Sequence, residues 1–329
     1  MNLSRVVVTA HVTLAAFAMA SGACAPKMQA RVDAVQAGPD TRELWQEPTN
    51  IASRDLFNGV GGAALAPQGD RFQFVSRDTT GASPGFDVTD AQGRKWDVKL
   101  GVEAQPEVVV SRLLWAVGFH QPPVYYVKSW TLTGGGEFAG PQQGGRFRLD
   151  RSDRKVLEEW SWYKNPFVGS RPYAVLIAAN VLVNNWDFKS TNNKLYQLTE
   201  PVNGVRRQYV VRDLGASLGK SSYPDMFKIV GLDRLGGGTK SDIEGFEGQD
   251  FVLEVEGDRV KFDYDGSRNE LLKSVKVADV KWACDLFARL SEAQLRDAFR
   301  AAAYDPAITA RYVRKLQQKI AQGQALAAR

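Results

Sequence analysis

Two short motifs in the middle of the chain carry the residue types that phosphoryl transfer needs. The first, Asp187 to Asn192, reads Asp-Phe-Lys-Ser-Thr-Asn, and the second, Asp213-Leu214-Gly215, follows a strand-like stretch. Phosphoryl transfer requires mainly charge neutralisation and in-line positioning. Two carboxylates and an amide oxygen would suit Mg²⁺, and the lysine could face a phosphate. The competing interpretation is structural, because Asp and Asn also stabilise turns after helices and before glycine.

The part of the chain before these motifs is predicted to be rich in strands. Apolar and polar residues alternate in three stretches, Phe72–Val75, Phe86–Val88 and Trp96–Leu100. Residues 79–85 are turn-rich and contain the Gly81–Gly85 loop, while Asp90–Gly93 reads as a tight turn. This order predicts a strand, a glycine-containing loop, a strand, a turn and a third strand.

A helix and a further strand are predicted next. Apolar residues at helical spacing run from Pro106, suited to a first turn, to Gly118, suited to a helix end. Val124–Leu132 reads as a strand, and the Gly-, Gln- and Pro-rich segment Gly134–Gly145 reads as a flexible loop.

The remainder of the chain is predicted to be mostly helical. Tyr173–Val183 is apolar on all sides, which indicates a helix buried in a large core. A hairpin turning at Asn203-Gly204 joins the two motifs. Helices are predicted over Val277–Leu290, after the Ser291 capping box, and from Asp305 onward. The expected fold class is α+β with two lobes, and the cleft between lobes is the expected ligand site.

The N-terminus reads as an export signal. Arg5 precedes an apolar run from Val6 to Ala20 that is too short to span a membrane, and small residues follow it. We expect residues 1–23 to be a signal peptide and residues 24–50 a flexible tether. Ser21-Gly22-Ala23-Cys24 is similar to a bacterial lipobox, so Cys24 is a candidate for lipidation, with simple release of the mature chain as the alternative. Cys284 lies in an apolar helical stripe, which favours a buried structural thiol.

Composition narrows the possible functions. An apolar content of 44% and a charged content of 24% are those of a soluble globular protein. The net charge of +5 comes from scattered Lys and Arg, so nucleic-acid binding is not expected. The only two histidines are His11 and His120, and the only two cysteines are far apart, which excludes a Cys/His metal site.

Taken in order, the motifs resemble the protein-kinase-like superfamily, especially its atypical branches: HipA-type kinases, phosphoinositide-kinase-like folds and CotH-type secretory kinases. The resemblance covers residues 70–219 and implies a bilobal kinase-like fold. It implies that Asp187 orients or deprotonates the acceptor hydroxyl and that Lys189 contacts the transferring phosphate. It also implies that Asn192 and Asp213 hold Mg²⁺ or Mn²⁺.

The same resemblance assigns the nucleotide site. Lys99, in the third strand, matches the lysine that contacts the nucleotide phosphates, and Glu107 on the next helix matches its ion-pair partner. The loop containing Gly81, Ser83 and Gly85 takes the place of the phosphate-covering turn, where backbone amides could cradle a phosphate. Exposed or helix-start positions would explain Lys99 and Glu107 structurally, and a plain hairpin turn would explain the loop.

These expectations define a secreted kinase-like phosphotransferase. Residues 51–132 would form the N-lobe and residues 133–329 the helical C-lobe. ATP or another nucleoside triphosphate would be the donor, and a protein, sugar or lipid head group the acceptor. A cell-envelope or outer-membrane location would follow from lipidation, and a periplasmic or secreted one from release.

Two alternatives remain. A catalytically silent pseudokinase, acting as a binding or scaffold lipoprotein, is suggested by the scarcity of ATP outside the cytoplasm. It is also suggested by Asp97, which lies two residues before Lys99 and shares its strand face. At this position the resemblance implies a small residue that packs against the base of the nucleotide. Transfer of a nucleotidyl group on the same scaffold is the third hypothesis.

Overall fold

A computed structural model describes residues 39–79, 83–222 and 237–327. The chain divides after Asp40, and the elements below all belong to Thr41–Arg329. The predicted signal peptide, Cys24, most of the predicted tether and Gly81 lie outside the described residues.

The first half of this unit is built on a seven-stranded sheet in the order β4-β7-β3-β2-β1-β5-β6. Neighbouring strands are antiparallel except for the parallel pair β1–β5. Alternation puts Phe72, Val88, Trp96, Val98 and Phe147 into one core. The strands are β1 Arg71–Asp78, β2 Gly85–Thr89, β3 Lys95–Lys99, β4 Val124–Tyr126, β5 Ser129–Thr133, β6 Gly140–Gln143 and β7 Arg146–Leu149.

Helix α1, Ala104–Ala116, connects β3 to β4. Its apolar side chains are buried in the second, larger core. It ends before Gly118, whose φ is +104° and whose added Cβ would lie 2.3 Å from the Gln46 carbonyl oxygen. The predicted helix is therefore confirmed, and the glycine that ends it is required both by the left-handed backbone and by close approach.

The larger core contains the helices of the second half of the unit. Helix α2 is buried along its length, and its N-terminus is capped by the Ser170 hydroxyl, which accepts a hydrogen bond from the Tyr173 amide. The capping box of Ser291 and Gln294 is present. The helices are α2 Arg171–Leu182, α3 Ile243–Glu247, α4 Val277–Ala288, α5 Glu292–Ala301 and α6 Pro306–Gln324.

Two smaller sheets accompany these helices. One has the order β10-β9-β8, and the other is the hairpin of β11 and β12. Their strands are β8 Arg154–Glu158, β9 Asn193–Val202, β10 Val205–Val211, β11 Val252–Glu256 and β12 Arg259–Phe262. A sheet-based lobe thus precedes a mostly helical lobe, each with its own apolar core, and the expected α+β fold with two lobes is confirmed.

Several boundaries differ from the sequence expectations. The sheet does not end at residue 132, because β7 pairs with both β3 and β4 and so extends the sheet-based lobe to Leu149. Val124–Leu132 forms two strands instead of one, and the expected loop 134–145 contains β6, which pairs with β5. The end of the expected tether is also packed, since Leu44 and Trp45 are buried and Trp45 Nε1 donates to the Val117 carbonyl.

Cys284 lies inside the larger core, as expected for a structural thiol, and burial raises its pKa to about 12. Within the described ranges, no helix combines the length and the apolar character needed to cross a membrane.

Candidate active site

Four of the residues singled out in the sequence surround one cavity of about 640 Å³ between the sheet and the helical lobe. Lys99, Asp187, Asn192 and Asp213 all line it, and it is called the Asp213 cavity below. Lys189, Ser83 and Gly85 line the same cavity. Residues separated by more than 100 positions in the chain therefore meet at one place.

The loop that carries Asp187 is fixed by hydrogen bonds on both sides. Asn185 Oδ1 accepts from the Asp187 amide at 3.2 Å, and the Trp186 amide donates to the Ala216 carbonyl at 3.0 Å. Phe188 is fully buried, and its amide donates to Ser267 Oγ at 2.9 Å. The backbone of the motif is thus anchored in the helical core, while the Asp187 side chain lines the cavity.

The amide of Asn192 closes the same loop. Its Nδ2 donates to the Asp187 carbonyl at 3.2 Å and lies 3.4 Å from Asp187 Oδ2. Lys189 Nζ lies 3.0 Å from the same carboxylate oxygen and is largely exposed. Asn192 therefore orients Asp187, and its own Oδ1 is the atom left to act as an oxygen ligand.

The β9–β10 hairpin brings the second motif to the first. Asn193, at the start of β9, pairs with Val211 at the end of β10, and the Arg212 amide donates to the Asn192 carbonyl at 2.9 Å. Asp213 follows at once with φ of +56°, in the left-handed region that non-glycine residues seldom adopt. A strained backbone at this position is typical of functional sites.

Gly215 is required by close packing. A Cβ at this position would lie 2.5 Å from Glu103 Cβ and 2.8 Å from the Glu103 carbonyl oxygen. Leu214 beside it is buried in the larger core. The Asp-Leu-Gly motif is thus held between that core and the N-terminus of α1.

Replacing Gly215 with alanine is expected to destabilise the protein by about 1–3 kcal/mol, because the added methyl group must displace backbone at Glu103. Urea unfolding followed by circular dichroism would measure the change. Gly248→Ala is the control, because its added Cβ would meet only the Glu244 carbonyl oxygen, at 3.2 Å. Gly257→Ala would not be matched, since φ at Gly257 is +63° and alanine would be strained there. Equal stabilities for the two variants would contradict the packing argument.

Lys99 is surrounded by carboxylates. Its Nζ lies 3.2 Å from Glu103 Oε2 and 3.3 Å from Glu107 Oε2, and it also contacts Asp213 Oδ1. Burial alone would lower the pKa of Lys99, but Glu107 and Asp213 outweigh it and raise that pKa. The expected pair with Glu107 is present, and Glu103 is a further partner that the sequence reasoning missed.

Glu107 is the buried centre of this charge cluster. Its side chain is 3% exposed and lies 2.9 Å from Arg146 Nε and 3.3 Å from Arg148 Nη1. Burial would raise the pKa of Glu107, but Arg146, Lys99 and Arg148 together lower it to about 2. Glu107 therefore acts as a fixed negative charge that holds three cations in place.

The sequence reasoning also missed the arginines of β7. Register pairs Asp97 with Arg148 and Lys99 with Arg146, so four charged side chains share the cleft face of β3 and β7. Arg146 Nη1 donates to Asp97 Oδ1 at 2.6 Å, and Arg148 also contacts Asp97. The alternation Arg-Phe-Arg-Leu was the available signal, but the pairing of β7 with β3 could not be deduced from it.

The predicted phosphate loop is described only in part. Ser83 Oγ donates to Glu103 Oε2 at 3.0 Å, and Gly85 opens β2, where an added Cβ would lie 2.7 Å from the Val98 carbonyl oxygen. Ser83 and Gly85 therefore lie at the cavity, and their role toward a phosphate stays a prediction, as does that of Gly81 outside the described residues.

The side chains at the Asp213 cavity carry the type of ligand atom that a divalent cation such as Mg²⁺ prefers. Asp213, Asp187 and Asn192 offer only oxygen donors, and Mg²⁺ is usually bound by one or two carboxylates together with substrate phosphates. Among the described residues, no group of three or more His, Cys, Asp or Glu is arranged as a complete metal site. With Asp213, Asp187 and Asn192 as the protein ligands, positions would remain for phosphate oxygens and water.

Behind the Asp187 loop lies a buried lysine. Lys319 is 1% exposed, its Nζ donates to Asn184 Oδ1 at 2.7 Å, and it lies 4.4 Å from the centre of the Phe246 ring. Asn184 in turn donates to the Gly219 carbonyl at 2.6 Å. Burial, reinforced by Lys315, lowers the pKa of Lys319 to about 7.

This lysine predicts a pH dependence of stability. An unfolded lysine titrates near 10.4, so between about pH 7 and pH 10 the unfolded chain binds a proton that the folded chain lacks. The free energy of unfolding contributed by Lys319 should then rise with pH, by up to about 1.4 kcal/mol per unit. In urea unfolding, wild type should gain stability relative to Lys319→Met across this range. The exposed Lys276→Met should follow wild type, and parallel curves for wild type and Lys319→Met would contradict the prediction.

Comparisons with known proteins give structural similarities alone. No protein-family model matches the sequence, and no curated protein matches it. Eight chains of solved structures match. One is the Helicobacter pylori proinflammatory kinase CtkA, at 14% identity and a TM-score of 0.40, over 78% of this chain and 94% of that one.

Another similar structure is a golgi casein kinase. Its sequence identity is 11% and its TM-score 0.29, over 78% of this chain and 73% of that one. Both TM-scores are below 0.5, so the function proposed below rests on the side chains of this protein.

Proposed function

We propose that this protein is a kinase-like phosphotransferase, which moves a phosphoryl group from ATP or another nucleoside triphosphate to an acceptor hydroxyl with Mg²⁺ or Mn²⁺. The observation that carries the proposal is the convergence of Lys99, Asp187, Asn192 and Asp213 on the Asp213 cavity. This set contains an ammonium group for phosphates, a carboxylate for the acceptor and oxygen ligands for a metal.

In the proposed reaction, the acceptor oxygen forms a bond to the terminal phosphorus, and the bond from that phosphorus to its bridging oxygen breaks. The electron pair of the broken bond leaves with the nucleoside diphosphate, and Asp187 takes the hydroxyl proton. Asn192 contacts the Asp187 carboxylate and holds it in place, and Lys189 also contacts that carboxylate before substrate binds. Lys189, at 62% exposure, is free to turn toward a phosphate oxygen.

Asn192 and Asp213 would hold the metal, which supplies neutralisation of the phosphate charges when bound. Lys99 now contacts Asp213 directly, with Glu103 and Glu107 on its other sides. A bound phosphate would draw Lys99 partly away from Asp213. Lys99 would then pair with the phosphate, and Asp213 with the metal. Glu107 would keep Lys99 at the cavity throughout.

A catalytically silent binding protein is the second candidate, and the charges at Asp97 favour it. Asp97 and Lys99 share one face of β3, and Arg146 and Arg148 surround Asp97. The base of a nucleotide placed against Asp97 would meet these charged groups in place of an apolar surface. A protein that bound a phosphorylated ligand without transfer would need no such base site.

We further propose that the protein is exported, as a lipoprotein anchored through Cys24 or as a released periplasmic chain, and that its relatives lie among HipA-type or CotH-type kinases. Support for export is the N-terminal sequence, and support for the branch is the motif order. Mass spectrometry of the mature N-terminus from a bacterial host would distinguish a diacylated Cys24 from a released chain.

The proposed function is tested by nucleotide binding to the mature chain. Thermal unfolding with ATP, GTP and ADP, each with Mg²⁺, Mn²⁺ or EDTA, should show a rise in melting temperature that requires both nucleotide and metal. A ligand that binds only the folded state stabilises it by about 2.7 kcal/mol at 100 times its Kd. No shift with any combination would contradict the proposal and favour the binding-protein alternative.

A further inference from the structure

A second cavity of about 460 Å³ adjoins the Asp213 cavity and is called the Arg212 cavity here. Asp97, Arg148 and Arg212 line both cavities, so the two form one continuous cleft. The Arg212 cavity continues away from Asp213 toward Arg154 at the start of β8 and Tyr196 on β9. A ligand with one end at Asp213 could therefore extend into it.

Positive charge predominates in the lining of the Arg212 cavity. Five basic side chains line it, against the three acidic side chains of Asp87, Asp97 and Asp150. The five basic residues are Lys95, Arg148, Arg151, Arg154 and Arg212. Such a surplus in a concave site attracts anions.

Arg212 has fewer close anionic partners than its neighbour Arg148. Arg148 contacts the carboxylates of both Asp97 and Glu107, whereas Arg212 has Asp97 Oδ2 only at 3.9 Å. Its Nη1 donates to the Tyr196 hydroxyl at 2.9 Å, and its Nε is buried with no hydrogen-bond partner. An unsatisfied buried donor on a guanidinium group is costly and calls for an acceptor.

A further observation supports this assignment. Arg151 and Arg154, also in the lining, share one carboxylate, that of Asp153. Arg151, Arg154 and Arg212 thus pair with two carboxylates, those of Asp153 and Asp97.

We propose that the Arg212 cavity binds a phosphate group of the substrate, held by Arg212 and Arg154. The paired N–H groups of arginine match phosphate oxygens, and a phosphate would supply the negative charge that Arg212 has only at 3.9 Å. An uncharged base would supply neither charge nor strong acceptors. The inference deepens the proposed function, on which it rests for calling the ligand a substrate, because it makes that substrate anionic at both ends of the cleft.

Metal-free binding of inorganic pyrophosphate tests this proposal directly. Isothermal titration in EDTA should detect pyrophosphate binding to wild type, and Arg212→Gln and Arg154→Gln should each weaken it by about tenfold or more. Arg296→Gln removes the same charge from an exposed pair on α5 and should bind within about twofold of wild type. Adenosine, which has no phosphate, should not displace pyrophosphate.

The outcomes separate this inference from the proposed function. Asp213→Asn should keep metal-free pyrophosphate binding even though it loses metal-dependent ATP binding. Unchanged affinity in both arginine variants, or displacement by adenosine, would overturn the inference while leaving metal-dependent ATP binding at Asp213 intact. If circular dichroism shows that Arg212→Gln does not fold, Arg154→Gln decides the question by the same measurement.

Discussion

Replacement of Asp187 with asparagine is expected to reduce phosphoryl transfer by about 10²–10⁴-fold, because the variant lacks the carboxylate that takes the acceptor proton. Binding of metal and nucleotide should change little, since the phosphates are assigned to Lys99 and the metal to Asn192 and Asp213. Transfer of label from γ-labelled ATP, to an acceptor or to the protein itself, would measure the first effect. Calorimetry with Mg–ATP would measure the second.

Asp297→Asn is a suitable control, because Asp297 lies on α5 in an exposed pair with Arg300. It should transfer phosphate at the wild-type rate. If Asp187→Asn also transferred phosphate at that rate, Asp187 would not be the base. Loss of both binding and folding would instead assign the residue a structural role, and circular dichroism distinguishes that case.

The second large effect is expected on stability. Glu107→Gln removes a buried negative charge that contacts Lys99, Arg146 and Arg148, and breaking such a cluster costs about 3–5 kcal/mol. Glu292→Gln, which disrupts an exposed pair on α5, should cost less than about 1 kcal/mol. Urea unfolding of the two variants beside wild type measures the difference.

The Glu107 effect should also depend on pH in one direction. Its pKa is lowered to about 2 in the folded state, from 4.5, so its contribution is complete above about pH 4.5. It is lost as pH falls from 4.5 toward 2, because the unfolded carboxylate then binds a proton that the folded carboxylate does not. The stability gap between wild type and Glu107→Gln should therefore close in acid, and a constant gap would contradict this account.

The sequence was sufficient to predict elements with strong local signals. The apolar α2 helix and the Asn203-Gly204 hairpin are both present, and that hairpin is what places Asp213 beside Asn192. Alternation along β3 also predicted correctly that Asp97 and Lys99 share a face. Each of these features depends on residues close together in the chain, where propensity and periodicity are informative.

The charge network of the cleft could not be predicted in the same way. Arg146 and Arg148 reach Asp97 and Glu107 only because β7 pairs with β3, some fifty residues earlier, and such pairing is not encoded in local periodicity. Glu103 was missed because it precedes the predicted start of its helix. Trp45 was assigned to a tether because its partner, the Val117 carbonyl, lies 72 residues away in the chain.

The central claim is that the Asp213 cavity binds a metal–nucleotide complex through the side chains that converge there. Isothermal titration of Mg–ATP into wild type, Asp213→Asn and the control Asp297→Asn tests it most directly. We expect wild type and Asp297→Asn to bind with the same affinity and Asp213→Asn to bind at least about a hundredfold more weakly, since it loses a charged metal ligand. Equal binding of Mg–ATP by wild type and Asp213→Asn would contradict the claim.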